Sequence, residues 1–166
     1  MSAQKIAFDL NIVDAVSGAL RTLLNQFPGL GTRKVSFSTL AEGAGIALFP
    51  TSGAALLSNT EDITGHVKQV CLYPFTVVYR SAPQSEEQKL KVKEFLDTLG
   101  KWLERQPVTI NGKVHQISEY PSSPAEGWAI KTISRSNPAR LSAAYQDGIE
   151  DWVISAVLRY ETEFDK

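Results

Sequence analysis

Residues 67–106 read VKQVCLYPFTVVYR, SAPQS and EEQKLKVKEFLDTLGKWLERQ in succession: a strand, a turn and one amphipathic helix. In the strand, Phe75, Val77 and Tyr79 share one face by the two-residue period, and Thr76, Val78 and Arg80 the other. Both faces carry apolar groups, so the strand should be an interior one with partners on both sides. Pro74 cannot donate to a ladder, which predicts a bulge or a local edge there. The helix start is marked by Ser85, with Gln88 completing a capping-box pattern and Glu86 and Glu87 placed where the helix dipole favours acids. Val92, Phe95, Leu96, Leu99, Trp102 and Leu103 form its apolar stripe, Lys89, Lys91, Lys93, Glu94 and Asp97 lie off it, and Pro107 ends it. Such a stripe packs on its own domain far more often than it forms a ligand groove.

Upstream, Asn11 is placed to cap a helix over about 12–27, with Val13, Val16, Leu20, Leu23, Leu24 and Phe27 as its stripe and Pro28-Gly29 as its stop. Residues 30–65 are rich in Gly, Ala, Ser and Thr. A short strand is expected at Val35–Ser38, and two more at Ile46–Phe49 and Ala54–Leu57 around a hairpin-like connection. The glycines Gly29, Gly31, Gly43 and Gly45 do not have phosphate-loop spacing, so turn chemistry is their reading.

Downstream, Asn111-Gly112 between β-formers predicts a type I′ hairpin over residues 108–117. A loop at 121–127 leads to a strand at Trp128–Ser134, with Trp128, Ile130 and Thr132 on one face. A short helical turn is expected at Ala139–Tyr145. The last strand, about 151–162, places Trp152, Ile154, Ala156, Leu158 and Tyr160 on one side. The expectation is one α+β domain over residues 1–166: a mostly antiparallel sheet packed by two main helices, about 12–27 and 85–106, with a Gly/Ser-rich loop and hairpin insertion at 30–65.

The 166 residues suffice for one real core and carry a net charge of −1 with a pI near 6.1. That balance lacks the basic footprint of a dedicated nucleic-acid binder. No apolar run is long enough for a membrane helix, and no basic segment followed by an apolar one opens the chain, so neither a span nor a signal peptide is expected. The one cysteine, Cys71, cannot form an intramolecular disulfide or a zinc site, and the two histidines, His66 and His115, lack metal-ligand spacing. His66 and Cys71 fall on opposite faces of a strand, and no nucleophile elbow occurs. Glu150, Asp151, Glu161, Glu163 and Asp165 have no evident apolar pocket to raise a pKa. No catalytic, cofactor-binding or metal residue is therefore assigned, and the chain reads as a non-enzyme. Trp128, Trp152, Tyr79 and Tyr160 read as core or subunit contact, because Arg80, Arg135, Arg140 and Arg159 are scattered and do not form a basic groove.

Two stretches carry a resemblance. One is the aromatic strand ending in Tyr79-Arg80 with Ser85-Glu86-Glu87 and the helix bearing Leu99 and Trp102. The other is Asp147-Gly148-Ile149-Glu150-Asp151 leading into Trp152, Ile154, Leu158, Arg159 and Tyr160. Together with the element order, they resemble the tail terminator proteins, or minor capsid proteins, of long-tailed bacteriophages. The resemblance covers most of the chain after about residue 65; residues 30–65 depart from it. It implies a tail-terminator-like fold and a virion protein, assembled in the bacterial cytoplasm. Its partners would be further copies in a ring, usually of six, at the head-proximal end of the tail, the tail tube protein and the head-completion or connector proteins. DNA would pass through the channel without specific binding. Another head–tail connector or tail adaptor is the alternative; a small-ligand enzyme or binding domain using the Gly-rich segment is a third reading. Candidate subunit or partner contacts are Asn111 and Gly112 at the hairpin tip, and Arg135 and Arg140 flanking a loop near the last strand.

Overall fold

The computed structural model describes residues 12–51 and 56–166. The predicted Asn11 cap and the start of the predicted strand at Ala54–Leu57 lie outside them. Among the described residues the fold is α+β, with two α-helices and a mostly antiparallel sheet. Its spine is a pair of 16-residue strands, β4 (His66–Ser81) and β10 (Glu150–Asp165). They pair antiparallel without a break from His66↔Asp165 to Ser81↔Glu150.

Each long strand carries two short ones end to end on its outer side. On β4 these are β2 (Gly45–Pro50), opposite Phe75 to Arg80, and β3 (Leu56–Glu61), opposite Val67 to Cys71. The expected β2–β3 hairpin is therefore not formed: both strands pair with β4, and the hairpin is β3–β4. β1 (Val35–Phe37) adds in parallel to β2. On β10 the short strands are β8 (Trp128–Arg135), opposite Ala156 to Thr162, and β9 (Arg140–Ala144), opposite Glu150 to Val153. β7 (Ser122–Ser123) borders β8.

Pro74 makes no bulge against β10. It lies in the gap between β2 and β3, and its carbonyl accepts from Thr51 N–H on that side. A strand residue points its N–H and C=O the same way, so the missing donor faces the gap, a local edge as expected.

α1 (Ile12–Asn25) and α2 (Glu86–Leu103) cover one face of the sheet. Val16, Leu20, Leu24, Leu96, Leu99 and Trp102 join Leu48, Phe75, Val77, Ile154 and Leu158 in one buried cluster. Val13, expected in the α1 stripe, is instead exposed. On the other face Thr76 and Val78 are only half-buried.

Ser85 caps α2 by accepting from Gln88 N–H, while the Gln88 side chain reaches Gln84 N–H, one residue earlier than a capping box requires. α2 ends at Leu103, before Pro107. Gln106 N–H bonds Lys101 C=O and Arg105 N–H bonds Trp102 C=O around a left-handed Arg105 (φ 64°). This is a Schellman turn with arginine where glycine is usual. Arg105 bonds the carbonyls of Ile117 and Ser118 and so holds the segment that follows the hairpin. Gly100 lets α2 approach closely, since a Cβ there would lie 2.7 Å from Ile154 Cδ1 and 2.3 Å from Arg135 Cδ.

Two further expectations are corrected. The helical turn at Ala139–Tyr145 is the strand β9: Tyr145 N–H bonds Ile149 C=O, closing a turn that lays the segment on β10. Cross-strand pairing overrides its helix-favouring alanines. In β8, Thr132 is exposed and Ile133 buried, because a register shift between Arg159 and Tyr160 reverses the alternation; a bulge is the physical cause. The Asn-Gly hairpin forms as expected, with β5 (Val108–Ile110) and β6 (Lys113–His115) in a separate two-stranded sheet, and positive φ at Asn111 and Gly112.

Candidate subunit interface

The β4–β10 spine divides into two ends of different construction. At the end holding Ser81 and Glu150, helices and ion pairs lock the sheet. Arg80 grips Asp151 in a two-pronged bond, Nε to Oδ1 at 2.7 Å and Nη2 to Oδ2 at 2.9 Å, and Tyr145 OH donates to Asp151 Oδ2 at 2.9 Å. Asp151 is buried; Arg80 first, then the Tyr145 hydroxyl, hold its carboxyl below the usual range and outweigh burial. Glu150 is likewise lowered, chiefly by the Trp152 indole N–H and also by Lys89 of α2, at 3.1 Å. Asp97 accepts from Ala139 N–H and Lys93, and Glu104 holds Arg135. Glu150, Asp97 and Glu104 tie α2 to the β8–β10 side; Asp97, Glu150 and Asp151 are lowered, the opposite of what a general acid needs.

At the other end, β3, the first part of β4 and the last part of β10 extend as an arm. Every residue of β3 is exposed, and Leu56 and Leu57 keep half their surface. The arm is held by ladder bonds and turn chemistry. Asp62 Oδ1 accepts from Thr64 N–H, Thr64 Oγ1 and His66 N–H. These bonds, the Thr64 hydroxyl first, lower its pKa. His66 lies between Asp165 (2.8 Å) and Glu163 (3.3 Å); the Asp165 hydrogen bond is the main cause of its raised pKa. Lys166 N–H bonds Gly65 C=O, and Lys166 Nζ reaches Glu61 at 3.1 Å. At the tip Ile63 is fully exposed, at 105 %.

Asn111 and Gly112 are exposed at the tip of the β5–β6 hairpin. Arg135 and Arg140 flank the β8–β9 loop, as read, yet differ. Arg135 Nε and Nη2 both reach Glu104 Oε1, at 3.0 and 2.9 Å, whereas Arg140 is exposed on β9 opposite Val153. The hairpin pair belongs to a different sheet from the two arginines. The arm tip escaped the sequence reading. Its signal was Asp62 and Gly65 bracketing a turn, with an isoleucine where turns are usually polar.

Among the described residues, no group of three or more His, Cys, Asp or Glu side chains is placed to hold a metal ion. Open clefts of about 250 to 470 Å³ occur among the described residues, and neither His66 nor Cys71 lines them. Cys71 is buried, and burial raises its pKa, which suits an inert thiol. No described helix is long and apolar enough to cross a membrane.

No family model matches the chain. No curated protein matches it either. Among solved structures, a chain from one described as the virion of a native gene transfer agent particle is similar over 89 % of this chain and 98 % of its own length, with 12 % identity and a TM-score of 0.45.

Proposed function

We propose that this chain is a structural virion protein, a tail terminator whose copies form a six-membered ring at the head-proximal end of a phage tail tube. There it stops tube polymerisation and joins the tail to the head-completion proteins. The observation that carries the reading is the form of the sheet. Two long strands are paired along their whole length, but the strands that border them are short. Among the described residues, the outer sides of β1, β3 and β9 have no strand partner. Free edges at both sides of one sheet suit head-to-tail contacts between identical subunits, and such contacts close into rings. The resemblance of the strands at 75–80 and 151–160 to tail terminators supports the same reading.

In this reading Asn111, Gly112 and Arg140 are exposed contact points, and Arg135 acts through its hold on Glu104. The near-neutral balance of charge lets DNA pass, since retention needs many cationic contacts. The chain acts by shape and not as an enzyme. The test is to polymerise the tube protein encoded beside this gene with and without the chain, and to image the products by electron microscopy. Tubes capped at one end by a ring and limited in growth are expected. Tubes that grow unchanged and carry no added density overturn the reading.

A further inference from the structure

We infer that the arm tip around Ile63 is a knob that seats in a cationic cleft at the opposite end of β4 on the next copy of the chain. This rests on the ring reading above and names its contact. The knob is an isoleucine exposed in full, on a turn that Asp62 fixes through three hydrogen bonds. An apolar side chain presented on a rigid turn loses little freedom on binding. The same end of the sheet carries Glu61, Asp62, Glu163 and Asp165 against Lys166 and His66, so it is acidic on balance.

The cleft has the reverse character. Two adjoining hollows of about 410 and 320 Å³ share Arg33, Tyr79 and Ser81. Lys91 and Lys34 add cations, while the charge of Arg80 is matched by Asp151, and no carboxylate lines either hollow. Tyr79, Phe95, Val92 and Pro83 supply apolar walls. Arg33 is fixed over the Phe95 ring at 4.7 Å and bonded to the carbonyls of Gly29 and Leu30, so the wall is preformed.

Knob and cleft lie at the two ends of one strand. His66 begins β4 and Ser81 ends it, a separation of roughly 50 Å at strand rise. They cannot meet within one molecule. An acidic apolar knob at one end and a basic apolar cleft at the other define a heterologous contact, repeated head to tail. The knob sets the register; the area a stable interface requires, about 800 Å² per partner, comes from the strands of the arm with Leu56 and Leu57.

The test pairs two variants that each add one cysteine, Ile63→Cys and Ala82→Cys, the latter on the cleft rim; native Cys71 is buried and serves as the internal control. An equimolar mixture is treated with a short bismaleimide. The expected product is a dimer of one Ile63→Cys chain and one Ala82→Cys chain, at least tenfold above either same-variant dimer. A chain with both substitutions should give a ladder with steps of 18.2 kDa. Wild-type oligomeric state is measured in parallel by mass photometry. A wild-type ring without the mixed dimer overturns the knob contact and leaves the ring reading standing. A wild-type monomer at every concentration that also leaves tube ends bare, again without the mixed dimer, overturns both. Because cross-linking fails if the rim variant is misfolded, Ile63→Asp is a second check: the fold should be intact, and assembly at least tenfold weaker. Unchanged assembly overturns the proposal.

Discussion

The two ends of the β4–β10 spine share the same strands and the same unbroken ladder, yet are held together by different forces. The body end is covered by α1 and α2 and buries Phe75, Val77, Ile154 and Leu158. The arm end has an exposed third strand and is secured by Asp62, His66, Lys166 and the cross-strand row Lys68–Glu161–Lys131. One end draws its stability from apolar burial. The other depends on main-chain pairing and leaves apolar side chains uncovered. Cys71 and Tyr160 are the last residues of the pair in the core cluster, and the stretch beyond them, residues 66–70 and 161–165, suits contact with another chain.

The sharpest break between the two ends is expected from apolar truncation. Leu158→Ala, at a fully buried site, should cost about 2–5 kcal/mol in urea unfolding. Ile63→Ser should stay within about 0.5 kcal/mol of wild type, as for an ordinary surface site. Equal losses would erase the distinction. The next largest effect lies where the arm joins β8. Gly127 has φ 76°, and a Cβ there would lie 2.5 Å from the carbonyl oxygen of Glu163. Gly127→Ala should therefore cost about 1–3 kcal/mol, with amide exchange faster at Glu163, which donates to Gly127, and unchanged at Leu158. Faster exchange at both would mean that the ends unfold as one unit.

These contrasts also mark what the sequence could tell. The α2 start at Ser85, the stripe through Trp102 and the Asn111-Gly112 turn were legible, because capping, 3.6-residue spacing and the type I′ turn are local. So were both long strands, through their alternation. β3 was poorly legible: Ser58, Asn59, Thr60 and Glu61 show no buried face, and the strand exists because β4 offers an edge. β9 was misread as helix although its hairpin with β10 is local, because Ala139, Ala143 and Ala144 favour a helix until the pairing overrides them. The β8 register slip could not be seen from β8 alone. Of the candidate interface, the Asn-Gly tip could be found in the sequence. The Ile63 tip carried a local signal, Asp62 and Gly65, that went unread, whereas its cleft could not be found because it is assembled from segments distant in the chain.

Smaller effects separate the two ends by pH. At the body end the Asp151 carboxyl is depressed, with Arg80 the largest cause. Its contribution is present above the ordinary carboxylate value of 3.8 and is lost as pH falls through the lowered folded value. Asp151→Asn should cost about 1–3 kcal/mol at neutral pH and flatten the acid limb of the stability curve; an unchanged acid limb would assign it elsewhere. At the arm end the sign is opposite. His66 is raised by Asp165, so its contribution is complete below 6.5 and fades as pH rises through the folded value. In nuclear magnetic resonance the His66 ring should titrate above 6.5 and move back towards that value in Asp165→Asn. An unmoved midpoint would remove Asp165 as the cause.

The central claim is that this chain is a building block whose exposed arm and edges meet further copies of itself. Native mass spectrometry of the purified chain over a range of concentrations, with and without tail tubes, tests it most directly. A closed six-copy species, free or on the tube end, and its loss in Ile63→Asp, is the result the account predicts. A monomer at every concentration that also leaves tube ends bare would contradict it.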